Sequence, residues 1–311
     1  MNFQKIINIL YRYPLSNWKT KQRFGGFFEY KKMLKNQVDM INSSYKLDNI
    51  SSYQDGLPLY FLTGKSHIYQ TIFCAHSLHI STKVKFQFIL VDDGTFDEKL
   101  ANRVKKQMPN VKLILKEEIQ KNLESKLPKE KFPYLNYKRG IYPHIKKLTD
   151  IHTIDDNSNK LVLDSDMLFW NEPIEIIEWL RNPNGCIYML DCEESYGYDR
   201  KLMESLCKTV VPDLVNVGVF GIKSSSIDWQ QLENWTMTLE SEQGASYFLE
   251  QALSAMLVVH QSKTVLNRET YLVNPTEIPE ESKNSKLHHY VDLSKKVYFE
   301  KAWKKIINAS S

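Results

Sequence analysis

The stretch Lys160-Leu-Val-Leu-Asp-Ser-Asp-Met-Leu-Phe169 limits the choice of fold more than any other part of the chain. Residues 161–163 read as a short strand buried on both faces, as in a parallel sheet covered by helices. The strand stops at Asp164 and Asp166, with Ser165 between them, and apolar character resumes at Met167. Two carboxylates inside an apolar frame are costly unless a counter-charge meets them. A divalent cation is such a charge. Hard oxygen ligands suit Mg2+ or Mn2+, which take further ligands from substrate phosphates. Two solvated acids capping a strand are the plainer alternative, and the apolar residues on both sides favour the metal.

Other short apolar runs end in the same way. Residues 59–62 form a strand that stops at Thr63-Gly64, and a helix follows over 67–79. A strand, a small-residue turn and a helix open a nucleotide-binding α/β unit, with backbone N–H groups free for a phosphate or ribose. Neither GxGxxG nor GxxxxGK[ST] is present, which argues against dinucleotide and P-loop folds. Residues 84–91 form a strand ending in Asp92-Asp93-Gly94. An acid there can accept from a base or ribose, or it can cap the helix that starts near Phe96 and runs to Gln107. A strand over 111–115 and a charged surface helix and loop over 116–132 follow. Ile174–Arg181 reads as an amphipathic helix, and Cys186–Leu190 as a strand ending at Asp191. In Val215-Asn-Val-Gly-Val-Phe-Gly-Ile222, Asn216 and two glycines stand in an apolar strand. A buried amide needs partners and glycine weakens a strand, so a purely structural role suits them poorly. Residues 246–259 form a helix with an apolar stripe and Glu250-Gln251 on its polar face.

Leu163-Asp-Ser-Asp-Met-Leu168 resembles the Asp-x-Asp motif of the GT-A nucleotide-sugar glycosyltransferases, of the glycogenin and lipopolysaccharide-galactosyltransferase type. The resemblance covers roughly residues 57–298. It implies the GT-A fold, an α/β architecture with a mostly parallel central sheet flanked by helices. Its further matches are Tyr137-Lys-Arg139, the Asn216-Val-Gly218 strand, the Glu250-Gln251 pair, and His289 spaced six residues before Lys295. The resemblance implies that Asp164, Asp166 and His289 hold Mn2+ or Mg2+, with His288 as a rival ligand. It assigns Lys295 to the diphosphate, and Asn216, Gly218, Asp191 and Gln251 to the donor sugar. Thr63, Gly64 and Asp92 fall at the nucleotide-binding strand ends. Arg139 falls to the nucleotide or the acids, with Lys146 or Lys147 as substitutes. Retention of anomeric configuration follows from the same resemblance; an inverting enzyme would use Glu250 or Asp191 as base. The family pattern has Gly where this chain has Asp292, and Pro-Trp where it has Lys296-Val297.

Charge is unevenly placed. Residues 1–35 hold eight Lys/Arg against Glu29, a net +7 in a chain of net +4. Interleaved with them are Phe3, Tyr11, Tyr13, Trp18, Phe24, Phe27, Phe28 and Tyr30. Such a segment suits anionic headgroups or polyanionic glycans, or a helical extension that packs its aromatics on the main domain. No recognition motif points to nucleic acid. The 42% apolar and 25% charged residues exclude a disordered chain. No run spans a membrane, the start does not read as a signal peptide, and four cysteines without a CxxC pair suit free thiols in a reducing cytoplasm.

These readings predict a basic aromatic helical segment over 1–55 and a catalytic domain over 56–311. The expected activity is metal-dependent transfer from a nucleotide diphosphate sugar, UDP-sugars favoured, to a glycan or glycolipid hydroxyl in surface glycan or lipopolysaccharide synthesis. The expected setting is the cytoplasm, peripheral to the inner membrane face. A nucleotidyltransferase, or a non-catalytic glycan- or membrane-binding protein on a decayed transferase fold, are the alternatives.

Overall fold

The computed structural model describes residues 13–155, 158–276 and 284–309. Phe3, Lys5, Tyr11 and Arg12 of the basic segment lie outside these residues. In chain order the strands are β1 (Leu57–Thr63), β2 (Phe86–Asp92), β3 (Lys112–Ile114), β4 (Asn159–Leu163), β5 (Met167–Phe169), β6 (Cys186–Leu190), β7 (Val215–Lys223), β8 (Lys263–Val265), β9 (Tyr271–Val273) and β10 (Leu287–His289). The apolar runs of the sequence become a mostly parallel seven-stranded sheet of order β3-β2-β1-β4-β7-β6-β8.

Helices cover both faces, which is why the strands are apolar on both sides. Tyr60, Ile89, Val162 and Phe220 point to one layer, packed with the helices Lys146–His152, Trp229–Gln243 and Leu249–Leu257. Leu59, Phe61, Phe88, Leu161 and Leu163 alternate to the other, packed with Ile68–Ser81, Glu98–Gln107 and Ile174–Arg181. The helix expected from Phe96 begins at Glu98, because Asp97 accepts the Leu100 N–H at 2.8 Å and caps it.

Within this sheet β7 runs against both neighbours, β4 and β6. That reversal positions the site. It brings the start of β7 beside the end of β4, so that Leu163 pairs with Val219 and the Asp164 N–H donates to the Gly218 carbonyl at 2.8 Å. A parallel β7 would carry Asn216 to the opposite edge. A second sheet, β5-β10-β9, finishes the arrangement. β10 pairs antiparallel with β5, His289 opposite Met167, and the Tyr290 N–H donates to the Asp166 carbonyl at 2.9 Å.

The N-terminal segment is helical over Tyr13–Arg23 and Phe27–Ser43. Met33 and Met40 of the second helix are buried in a third apolar cluster with Tyr69, Phe73, Tyr290, Tyr298 and Trp303. Trp18, Phe27 and Phe28 remain exposed, Phe28 by 83%. Cys74, Cys186 and Cys207 are buried and Cys192 is exposed, all as free thiols. No helix among the described residues is long and apolar enough to cross a membrane.

Candidate active site

The site gathers where β4, β6 and β7 meet β10. Asp164 and Asp166 leave the end of β4, and His289 faces them from β10. One ligand atom from each of the three lies within 4.8 Å of the others. His289 Nε2 stands 3.3 Å from Asp166 Oδ1 and 3.6 Å from Asp164 Oδ2. Its other nitrogen, Nδ1, lies 3.1 Å from Asn216 Oδ1, which also accepts the Gly218 N–H at 2.9 Å. The Asn216 amide nitrogen donates to Asp191 Oδ2 at 2.9 Å. The carboxylate can only accept, so the amide orientation is fixed, and Asn216 Oδ1 must accept from Nδ1–H. Nε2 is therefore the nitrogen left to face the two acids, buried and without a hydrogen bond among the described residues, and it is the one available as a ligand to a cation placed between them.

Gly218 makes that approach geometrically feasible. A Cβ there would lie 2.4 Å from His289 Nδ1 and 2.9 Å from Asn216 Oδ1. The space over this glycine, which the resemblance assigns to the donor sugar, is occupied by the imidazole.

Two lysines balance the acids. Lys147 Nζ donates to Asp164 Oδ1 at 2.8 Å and lies 3.4 Å from Glu250 Oε2. Burial opposes the charge on this ammonium, but Asp164 and Glu250 outweigh it and hold the Lys147 pKa up. Lys295 donates to Asp166 Oδ2. Burial raises the Asp166 pKa, and Lys295 and His289 more than reverse this, leaving it well below the usual carboxylate range. Burial pushes Glu250 up to about 7; Lys147 pulls it down and Asp164 adds to the rise. Asp191 is the hub of the far side. It accepts from Asn216, from Gln251 Nε2 at 3.0 Å, and from the Cys192 N–H at 2.8 Å.

Neither a family model nor a curated protein matches this sequence. Among solved structures, the galactosyltransferase LgtC in complex with donor and acceptor sugar analogs is similar over 81% of this chain and 95% of its own, at TM-score 0.51 and 14% identity. The fold is that of the GT-A glycosyltransferases. The WbbM bifunctional glycosyltransferase matches over 83% of this chain at TM-score 0.49 and 12% identity, and the chain spans 52% of WbbM. Mouse xyloside xylosyltransferase 1 matches over 77% of this chain and 97% of its own, at TM-score 0.49 and 12% identity.

On this fold the residues singled out from the sequence fall into three groups. Asp164, Asp166, His289, Lys295, Asn216, Gly218, Asp191, Gln251 and Glu250 form one connected network. Thr63 joins it through a hydroxyl chain: its Oγ1 lies 2.7 Å from that of Thr71, which lies 2.8 Å from Ser165 Oγ. This chain ties β1 to the residue between the two acids. Gly64 packs against the neighbouring turn, where a Cβ would meet Asp93 Oδ1 at 2.0 Å. Asp92 spends Oδ1 on its own turn, accepting the N–H groups of Gly94, Thr95 and Phe96 at 2.7, 2.8 and 3.0 Å. Arg139 is engaged elsewhere, with two bonds of 2.6 and 2.7 Å to buried Asp150. Lys146 donates to the Asp93 carbonyl at 2.5 Å. Of the basic residues before β4, Lys147 is thus the one on the acids.

His288 points away from His289, as strand alternation requires. It packs edge-on to Trp170 and Tyr290, with its pKa lowered to about 4 by burial. The sequence reading missed Thr71 and Ser165, because a hydroxyl on a helix face, or in the bend between two acids, gives no signal of its own. It also missed Tyr142, whose hydroxyl donates to the Tyr247 carbonyl at 2.6 Å and accepts the Glu250 N–H at 3.3 Å.

The donor set fits a divalent cation of the Mn2+ or Mg2+ class. It combines two carboxylates with an imidazole whose free nitrogen is buried among them, and that nitrogen favours manganese.

Proposed function

We propose that this chain is a metal-dependent glycosyltransferase that moves a sugar from a nucleotide diphosphate sugar, UDP-sugars favoured, to a hydroxyl of a glycan or glycolipid. Surface glycan or lipopolysaccharide synthesis is its setting. The observation that carries the reading is the convergence of Asp164, Asp166 and His289 Nε2 from two different sheets. The similar LgtC structure, which holds donor and acceptor sugar analogs, supports it.

In this reading Asp164, Asp166 and His289 would hold Mn2+ or Mg2+, which would supply positive charge to the departing diphosphate. Lys295 exchanges its bond to Asp166 for a phosphate oxygen and stabilises the same developing charge. Lys147 holds Asp164 oriented through its 2.8 Å bond to Oδ1. Asp191, Asn216 and Gln251 present acceptors and donors to the sugar hydroxyls, held in place by their bonds to one another. The bond from the anomeric carbon to phosphate breaks, and the bond to the acceptor oxygen forms. With retention the acceptor proton passes to the departing phosphate oxygen; with inversion Glu250, poised near neutral pH, takes it. Residues 1–35 serve as a contact for anionic headgroups at the inner membrane face. Exposed Trp18, Phe27 and Phe28 support this, with Lys21 and Lys31 each within 5.4 Å of the Phe27 ring.

Thermal unfolding tests the reading. UDP should raise the melting temperature with Mn2+ or Mg2+ present, and the shift should vanish in EDTA and in Asp164→Asn. Undiminished UDP binding in EDTA would sink the metal assignment.

A further inference from the structure

Between His289 and Lys295 the chain makes one sharp turn, and the residue at its corner is Asp292. Its φ is +45°, the left-handed region that an L-residue other than glycine adopts reluctantly. Asp292 opens the short 3-10 turn Asp292–Ser294 that delivers Lys295 to Asp166. The conformation of this one residue therefore sets the direction from which the Lys295 ammonium reaches the site.

The corner is held from both sides. On the inner side the Ser294 N–H donates to Asn274 Oδ1 at 3.1 Å. On the outer side Arg23, the last residue of the helix Tyr13–Arg23, reaches both Asp292 carboxylate oxygens through Nη2, at 2.5 and 2.6 Å. The contact does not stand alone. Glu29 pairs with Lys296 at 2.8 Å, Lys32 with Glu300 at 3.7 Å, and Lys304 donates to Asn36 Oδ1 at 2.5 Å. Polar contacts thus run from residues 23–36 to residues 292–304, over the apolar seam of Met33 and Met40 against Tyr298 and Trp303. A single exposed ion pair contributes little, but a network seated on a packed seam holds geometry better.

We propose that Arg23 is a positioning residue for the diphosphate contact. The N-terminal helices brace the corner at Asp292 in its left-handed conformation and so fix where Lys295 stands. The inference rests on the reading of Lys295 as the group that meets the leaving diphosphate. It gives the basic residues 19–35 a second duty besides any surface they meet: one end of this segment bears on the reaction centre.

The test compares wild type, Arg23→Ala, Asp292→Gly and the double variant. Glycine takes a positive φ freely, so it should make the brace dispensable. Arg23→Ala should weaken UDP binding in the presence of Mn2+ about fivefold, leave Mn2+ affinity without nucleotide unchanged, and shift the melting temperature little. Asp292→Gly alone should stay near wild type, and the double variant should recover to within about twofold of it. A merely structural contact would not give that recovery. Amide hydrogen exchange without nucleotide reports the brace independently of the activity. Residues 292–297 should exchange about tenfold faster in Arg23→Ala, with the main sheet unchanged. Unchanged exchange in that variant overturns the brace, as does UDP binding that falls and is not restored by Asp292→Gly. Faster exchange in a protein whose wild type binds no UDP would instead sink the glycosyl-transfer reading and leave the brace standing.

Discussion

At the scale of single residues the decisive pair is His288 and His289, adjacent in sequence and opposite in direction. His289 aims Nε2 at the acids, while His288 is buried against Trp170 and Tyr290. His289→Ala should therefore cut Mn2+-supported donor turnover by at least about tenfold and abolish the Mn2+ response, far more than its loss of packing over Gly218 lowers stability. His288→Ala should do the reverse: it empties a packed aromatic pocket and should cost about 1–3 kcal/mol of stability, leaving the Mn2+ response in place. Turnover against Mn2+ concentration, paired with urea unfolding, separates the two. Glu250 gives a pH prediction with a definite sign. Its folded pKa of about 7 lies above the reference 4.5, because burial disfavours the carboxylate. The folded state therefore binds this proton more tightly than the unfolded state. Stability from this group is full below about 4.5 and is lost as pH rises towards 7. Glu250→Gln should remove that loss, worth up to about 3 kcal/mol by linkage. Melting temperatures of both proteins from pH 4 to 8 check it; parallel curves would place the Glu250 pKa back in the ordinary range.

Among the elements, β7 and the N-terminal helices do the most positioning. β7 reverses direction and so carries Asn216 and Gly218 to the metal end of β4, where one amide orders both His289 and Asp191. The helix Phe27–Ser43 divides its side chains. Met33 and Met40 enter the third core cluster, and Phe27 and Phe28 stay outside with Lys31. The aromatics of this segment thus split between packing and surface, because a helix laid on a domain buries one stripe and leaves the opposite one in water. The exposed stripe is testable without disturbing the buried one. Replacing Trp18 and Phe28 by Ser should reduce sedimentation with phosphatidylserine-containing vesicles several-fold, since each removes an aromatic anchor from a basic surface. Melting temperature and UDP binding should hold. Equal sedimentation of wild type and variant would remove the membrane assignment from these residues.

For the molecule as a whole, the described residues before β1 are joined to the main domain through its core. Ile50 is fully buried in the sheet's second layer, and its N–H donates to the Gln107 carbonyl at 2.9 Å. A chain beginning at Ser51 should therefore expose Tyr298 and Trp303, lose several kcal/mol and aggregate. Size-exclusion chromatography of that truncation checks this; a monomeric, cooperatively folding product would show the N-terminal helices to be an independent attachment. The sequence by itself determined the layers and the edge at which the chemistry sits. Short apolar runs bounded by turn residues read as covered strands, and acids at their ends as groups at the sheet's rim; the strand Cys186–Leu190 and the helix Ile174–Arg181 are legible to the residue. It also marked Asp164 and Asp166, and the family resemblance added His289 as a ligand with His288 as its rival. Which groups meet was decided by the tertiary structure. The direction of β7, the pairing of β10 with β5, the turning of Arg139 to Asp150 and the arrival of Lys147 at Asp164 leave no local trace. Strand direction, and partners far apart in sequence, are set by how complete layers pack, and no residue's own propensity records that choice.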